Sequence, residues 1–132
     1  MNEKRKQVLI VDDDIDILDQ MKFQIEQFGF ETITASSQKE GEKVIEDCKP
    51  DLAIIDLMME NKDSGFILSY KLKKKYPDVP VIIATAVTAE TGMIFSLTTP
   101  EEKKWIKADQ YLDKNIRADQ LRQTINSLLK IS

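Results

Sequence analysis

The chain has 132 residues, a length that suits one domain with a sizeable core. Its composition, 42% hydrophobic and 32% charged, is that of a globular chain and excludes disorder, while the formal net charge of −4 argues against nucleic acid as a direct partner. The absence of histidine excludes Ser-His-Asp and Cys-His nucleophilic systems, His-containing zinc sites and a phosphohistidine on this chain, leaving carboxylates, hydroxyls and lysines to carry any chemistry.

The first apolar run, Gln7-Val8-Leu9-Ile10-Val11, ends in acids and reads as a strand. Asp12-Asp13-Asp14 follows. Asp13 or Asp14 could cap the next helix, and acids in a first turn favour the helix dipole. Ile15, Leu18, Met21, Ile25 and Phe28 then recur at helical spacing, and Gly29 stops the helix. Phe30-Glu31-Thr32-Ile33-Thr34-Ala35 alternates and is β-prone, which predicts a second strand. Ser37-Gln38-Lys39-Glu40 has the capping-box pattern. The helix it opens should bury Gly41, Val44, Ile45 and Cys48. Cys48, the only cysteine, forbids an internal disulfide and fits a reducing cytoplasm. Its place on the apolar face predicts a buried, inert thiol.

Leu52-Ala53-Ile54-Ile55-Asp56-Leu57 is an apolar run carrying one acid, as expected of a strand buried on both faces. An ionised carboxylate is costly to bury, so Asp56 belongs at the strand's C-terminal end or beside a cation. Residues 60–65 are polar and turn-like. A helix follows with Phe66, Ile67, Tyr70 and Leu72, and with Lys71, Lys73, Lys74 and Lys75 as a solvated face near its C-terminus. Val81-Ile82-Ile83-Ala84-Thr85 is a fourth strand. Residues 86–98 have no clear period. Thr99-Pro100-Glu101-Glu102 offers another helix start, for a short helix that includes Trp105 and Ile106. Ala108-Asp109-Gln110-Tyr111-Leu112 reads as a fifth strand, ending near Asp113-Lys114, and a last helix should bury Ala118, Leu121, Ile125 and Leu128.

Strands alternate with helices five times. The expected fold is α/β: a doubly wound, five-stranded parallel sheet with helices on both faces. In such a sheet the C-terminal strand ends share one edge, where ligands bind. Asp12 and Asp13, Asp56, Thr85 and Lys114 all fall there. Each alone has a plain explanation: a cap, a strand-end acid, a β-prone residue, a surface lysine. Together they suit phosphoryl transfer. Clustered carboxylates call for a cation, and an all-oxygen site suits Mg²⁺. A carboxylate nucleophile, an ammonium and a hydroxyl complete the set.

These residues resemble the motifs of one family, the receiver domains of two-component response regulators. Val8-Leu9-Ile10-Val11-Asp12-Asp13-Asp14, Ala53-Ile54-Ile55-Asp56-Leu57-Met58-Met59, Ile83-Ala84-Thr85-Ala86 and Ala108-Asp109-Gln110-Tyr111-Leu112-Asp113-Lys114 match its four motifs in order. The resemblance implies a flavodoxin-like strand order, 2-1-3-4-5, and a phosphoryl group received on Asp56 from a phosphohistidine of a sensor histidine kinase or phosphotransfer protein. It implies Mg²⁺ held by Asp13, Asp56 and the Met58 backbone carbonyl, with Asp12 helping through water. Lys114 and Thr85 would contact the phosphoryl group, and Tyr111 would move inward as the Thr85 hydroxyl swings toward it. The domain would be a cytoplasmic signalling switch that catalyses only its own phosphorylation and dephosphorylation.

The initial methionine and the end after the last helix suggest a single receiver domain over residues 1–132 with no output domain, acting on a downstream protein through residues 87–112. No apolar run approaches membrane-spanning length, so no membrane partner is expected. Lys114-Asn115 replaces the family's Lys-Pro, which calls for a trans bond or a strained turn. The segment between Thr85 and Lys114 exceeds the usual spacing by roughly two helical turns' worth of chain, and residues 87–98 within it are a candidate partner surface. Met58 and Val87 occupy positions that tune hydrolysis. Both are apolar, which predicts slow self-dephosphorylation. Two other readings stand beside this one: a pseudo-receiver that binds partners without phosphate, and an aspartate-nucleophile phosphatase. The second is disfavoured by Met58 standing where that class has an acid.

Overall fold

A computed structural model describes residues 6–57, 64–85, 110–113 and 117–130. Five strands, β1 (Gln7–Val11), β2 (Glu31–Ala35), β3 (Leu52–Asp56), β4 (Val81–Thr85) and β5 (Gln110–Asp113), pair in parallel in the order β2-β1-β3-β4-β5. The described helices are α1 (Ile15–Gln27), α2 (Gln38–Asp47), α3 (Ser64–Lys75) and α4 (Ala118–Leu129). The expected sheet and strand order are those observed. The short helix expected after Thr99 and the segment 87–98 lie outside the described residues.

The strand side chains alternate between two cores. Val8, Ile10, Leu52, Ile54, Ile82 and Ala84 pack with Leu18, Met21 and Ile25 of α1 and Leu121 and Ile125 of α4. Leu9, Val11, Ala53, Ile55, Val81 and Ile83 pack with Ile45 of α2 and Leu68 and Leu72 of α3. Each face of the sheet is therefore covered, which is why the three inner strands read as unbroken apolar runs. Burying each large aliphatic side chain contributes about 1.5–3 kcal/mol, so polar residues are tolerable only at strand ends.

Local chemistry sets the helix starts. Asp14 is the N-cap of α1. Its Oδ1 accepts from the Asp16 and Ile17 amides at 3.0 and 3.3 Å. Gly29 follows the C-cap with φ of +99°, a conformation that favours glycine, and ends α1 as expected. Ser37 caps α2, its Oγ accepting from the Glu40 amide at 3.0 Å. The return half of the box is displaced by one residue: Glu40 Oε1 accepts from the Ser36 amide at 2.8 Å and the Ser36 hydroxyl at 2.9 Å. Those two bonds hold the Glu40 carboxyl below its ordinary pKa.

Several expectations need correction. Cys48 is exposed, because it is the C-cap of α2 in extended conformation and has left the helix face. Ile15 is 54% exposed in the first turn of α1, beyond the reach of the core, and Phe23 on the outer face is 65% exposed. In α4, Leu121 and Ile125 are buried as expected, but Ala118 is exposed in the first turn and Leu128 is only half-buried. Helix α3 starts at Ser64 rather than beyond Gly65, and its buried face is Ser64, Gly65, Leu68, Ser69 and Leu72, with Tyr70 exposed. The fifth strand ends at Asp113, as expected. The lysines of α3 are more engaged than a solvated face implies. Lys71 Nζ pairs with Glu42 at 2.7 Å, and Lys75 Nζ donates to the carbonyls of Ile45 and Glu46 at 3.2 and 2.9 Å, closing the C-terminus of α2.

Candidate functional site

The sheet order places a switch point between β1 and β3, where the chain changes its direction of winding. Acids end both strands. Asp12 and Asp13 follow β1 directly, and Asp56 is the last residue of β3. The register aligns Val11 with Ile55, so Asp12 and Asp56 leave the sheet at the same level. Carboxylate oxygens of Asp12, Asp13 and Asp56 all lie within 4.8 Å of one another. Asp12 and Asp56 are buried and Asp13 is exposed, which gives the cluster one open side.

Backbone contacts hold these acids in place. The Asp12 amide donates to the Ala35 carbonyl at 3.1 Å, continuing the β1–β2 ladder by one residue. The Asp14 amide donates to Asp12 Oδ1 at 2.9 Å. Asp14 carries the cap of α1, so neither Asp12 nor Asp13 is needed there, and the capping explanation for them falls away. Beside Asp56, the Leu57 amide donates to the Ala84 carbonyl at 2.9 Å, and the Leu57 carbonyl accepts from the Gly65 amide at 2.9 Å.

Three ionised carboxylates this close repel one another. At an effective dielectric near 20, each pair within 4.8 Å is opposed by about 3 kcal/mol or more. A cation relieves this. Oxygens bound to one octahedral Mg²⁺ at about 2.1 Å stand roughly 3 to 4 Å apart. The three acids are thus nearly at ligand spacing already, and the open side at Asp13 leaves room for water and a phosphoryl oxygen.

The other residues singled out in the sequence fare differently. Thr85 ends β4 and pairs in register with Asp113 of β5, while Asp56 pairs with Ala84. The backbone of Thr85 therefore stands one residue beyond Asp56 on the adjacent strand. Tyr111 is within β5, opposite Ile83. The side chains of Thr85 and Tyr111 and the whole of Met58, Val87, Lys114 and Asn115 lie outside the described residues. Gly65 was given no role from the sequence beyond closing the stretch after Asp56. It read as a turn residue, yet it is helical, buried and pressed against the peptide that follows Asp56. Its only signal was a small residue in a polar stretch shortly after the acid.

Among the described residues no helix is long and apolar enough to cross a membrane. Residues 8–126 match the model of the response regulator receiver domain. The heme response regulator HssR of Staphylococcus saprophyticus is 38% identical over 122 residues, covering 92% of this chain and 50% of that protein. The phosphate regulon transcriptional regulatory protein PhoB of Pseudomonas aeruginosa is 31% identical over 127 residues, with coverage of 95% and 52%. The chain spans about half the length of the curated relatives it matches. Among solved structures, a CheY-like receiver domain protein from Methanospirillum hungatei superposes with a TM-score of 0.79 at 31% identity, covering 96% of this chain and 95% of that one. The response regulator TrrA of Thermotoga maritima, in complex with Mg²⁺ and BeF, gives a TM-score of 0.75 at 27% identity, with coverage of 93% and 98%. The acid cluster at the switch point of a 2-1-3-4-5 sheet and the match over nearly the whole chain agree: this chain belongs to the response regulator receiver domain family of two-component signalling.

Proposed function

We propose that Asp56 is the phosphoacceptor of this receiver. One of its carboxylate oxygens attacks the phosphorus of a phosphohistidine on a sensor histidine kinase or phosphotransfer protein. The P–N bond breaks, the imidazole leaves, and an aspartyl phosphate remains. The observation that carries this reading is the gathering of Asp12, Asp13 and Asp56 at one strand edge, with Asp56 buried and Asp13 open to solvent. Asp12, Asp13, Asp56 and the Met58 carbonyl would hold Mg²⁺, which supplies charge neutralisation for the incoming phosphoryl oxygens. Thr85 and Lys114 would contact the phosphoryl group, and Tyr111 would respond to the movement of Thr85. Thr85 ends β4, Lys114 follows β5 in the sequence and Tyr111 lies within β5, and these positions support the roles.

As a signalling domain in the cytoplasm, the protein catalyses only the gain and loss of its own phosphoryl group. Residues 1–132 form one receiver unit. Phosphorylation changes its affinity for a downstream protein through the surface that includes residues 87–112. Intact mass after incubation with acetyl phosphate tests the chemistry. A Mg²⁺-dependent, hydroxylamine-labile adduct of one phosphoryl group is expected in the wild type and absent in Asp56→Asn. An adduct that persists in Asp56→Asn would remove Asp56 from the role.

A further inference from the structure

The first turn of α3 meets the peptide that follows the phosphoacceptor through backbone at Gly65, while Leu68 and Leu72 pack by side chains further along. The Gly65 amide donates to the Leu57 carbonyl at 2.9 Å, which satisfies one of the free amides at the start of α3. A Cβ built on Gly65 would overlap the Asp56 carbonyl oxygen and stand 2.7 Å from Leu57 Cα and 2.9 Å from Leu57 O. All three atoms belong to the backbone, so none can rotate away. To restore ordinary carbon contact, α3 or the Asp56–Leu57 peptide must retreat by roughly 0.7 Å or more. The other side of that peptide cannot give, because the Leu57 amide is bonded to Ala84 and the Leu57 side chain is 2% exposed.

Gly41 in α2 provides an internal control. A Cβ there would meet Leu68 Cδ1 at 3.0 Å and Cδ2 at 3.2 Å. Those are the far ends of a flexible side chain, which can turn aside.

We propose that Gly65 is a positioning residue. The close approach it permits seats the first turn of α3 on the Asp56–Leu57 peptide and so sets the Asp56 carboxylate at ligand distance from Asp12 and Asp13. The proposal rests on the reading of Asp56 as phosphoacceptor and metal ligand. It assigns that placement to a residue with no functional side chain. Residues acting behind a metal's direct ligands typically alter affinity by about 10- to 100-fold, and a 1 Å misplacement can cost about 10²-fold in rate.

The test is the Mg²⁺ dissociation constant, measured on folded wild type, Gly65→Ala and Gly41→Ala, with the rate of acetyl phosphate labelling as a second readout. Gly65→Ala should bind Mg²⁺ at least about ten-fold more weakly and label more slowly, while Gly41→Ala stays within about two-fold of wild type. A residue that only stabilised the fold would lower the melting temperature without changing the constant of the folded molecule. Wild-type affinity in folded Gly65→Ala overturns the proposal and leaves the role of Asp56 standing. Failure of the wild type to bind Mg²⁺ overturns both. If Gly65→Ala does not fold, exchange of the Gly65 amide in the wild type decides. Slowing on addition of Mg²⁺ with beryllofluoride supports the coupling, and an unchanged rate overturns it.

Discussion

The connections after β1 and β3 solve the same problem in different ways. Each must bring an acid to the edge of a buried strand and start a helix close by. After β1 the work is done by side chains: Asp14 caps α1 through two amides, and the Asp14 amide in turn holds Asp12 Oδ1. After β3 it is done by packing: the Leu57 carbonyl receives the Gly65 amide, and the absence of a Cβ lets α3 close on the strand. A site edge built from side-chain hydrogen bonds tolerates change one bond at a time. One built from backbone contact does not, because backbone atoms have no rotamers to yield.

The largest expected difference between the two connections is chemical. Asp14→Ala should still form the phosphoryl adduct, whereas Asp56→Asn should form none, as read by intact mass. Loss of the adduct in Asp14→Ala would show that the first connection also positions the acceptor.

Stability gives the next contrast. In an open helix Gly→Ala is favourable by about 1 kcal/mol. At Gly65 overlap with fixed backbone should reverse that sign, and we expect about 2 kcal/mol or more of destabilisation in urea unfolding. Gly41→Ala should fall near zero, since propensity and the displaced Leu68 oppose each other. Asp14→Ala should cost about 1 kcal/mol, the usual value of a lost cap. Equal effects for Gly65→Ala and Gly41→Ala would show that contact with backbone and contact with a flexible side chain cost the same in this protein.

The acid cluster yields a smaller effect of opposite sign. Without a divalent cation, Asp13→Asn relieves repulsion among three carboxylates and should raise the melting temperature. With Mg²⁺ only the wild type should gain. Since Asp13 is exposed, solvent screens much of the repulsion, and a rise of a few degrees is expected. A lower melting temperature in Asp13→Asn without the ion would mean that Asp13 makes a stabilising contact.

The smallest effect concerns α2, whose start resembles that of α1 in relying on side chains. Bonds from Ser36 lower the Glu40 pKa in the folded state. A depressed carboxylate stabilises the fold above its unfolded pKa, near 4.5, and that contribution is lost as pH falls through the folded value. Glu40→Gln should therefore remove a small contribution at neutral pH, leave low pH little changed, and so flatten the acid limb of stability below about pH 4.5. An unaltered acid limb would show that Glu40 is not coupled to folding.

Much of this molecule was legible because its signals are local. The apolar runs at Val8–Val11, Leu52–Ile55 and Val81–Ala84 are short and rich in β-branched residues, as strands covered on both faces are, and their polar ends marked the edge of the sheet. Asp12, Asp13 and Asp56 gather for that reason: each follows or ends such a run, and those ends share one edge of the sheet. Caps at Asp14 and Ser37 and the stop at Gly29 follow from hydrogen bonds and backbone freedom within a few residues.

Other features depended on which elements meet. Cys48 sat at helical spacing, yet α2 ended one residue too soon to bury it. Ile15 and Ala118 had the right period, but the first turns of their helices stand where their side chains reach no core. Lys75 looked solvated until α2 was placed beside α3 with its carbonyls exposed. Gly65 is the clearest instance. Composition and spacing determined that an acid would end β3. Only the packing of α3 on that strand decided that the residue pressed against it must have no side chain, because the excluded volume belongs to atoms eight and nine positions away.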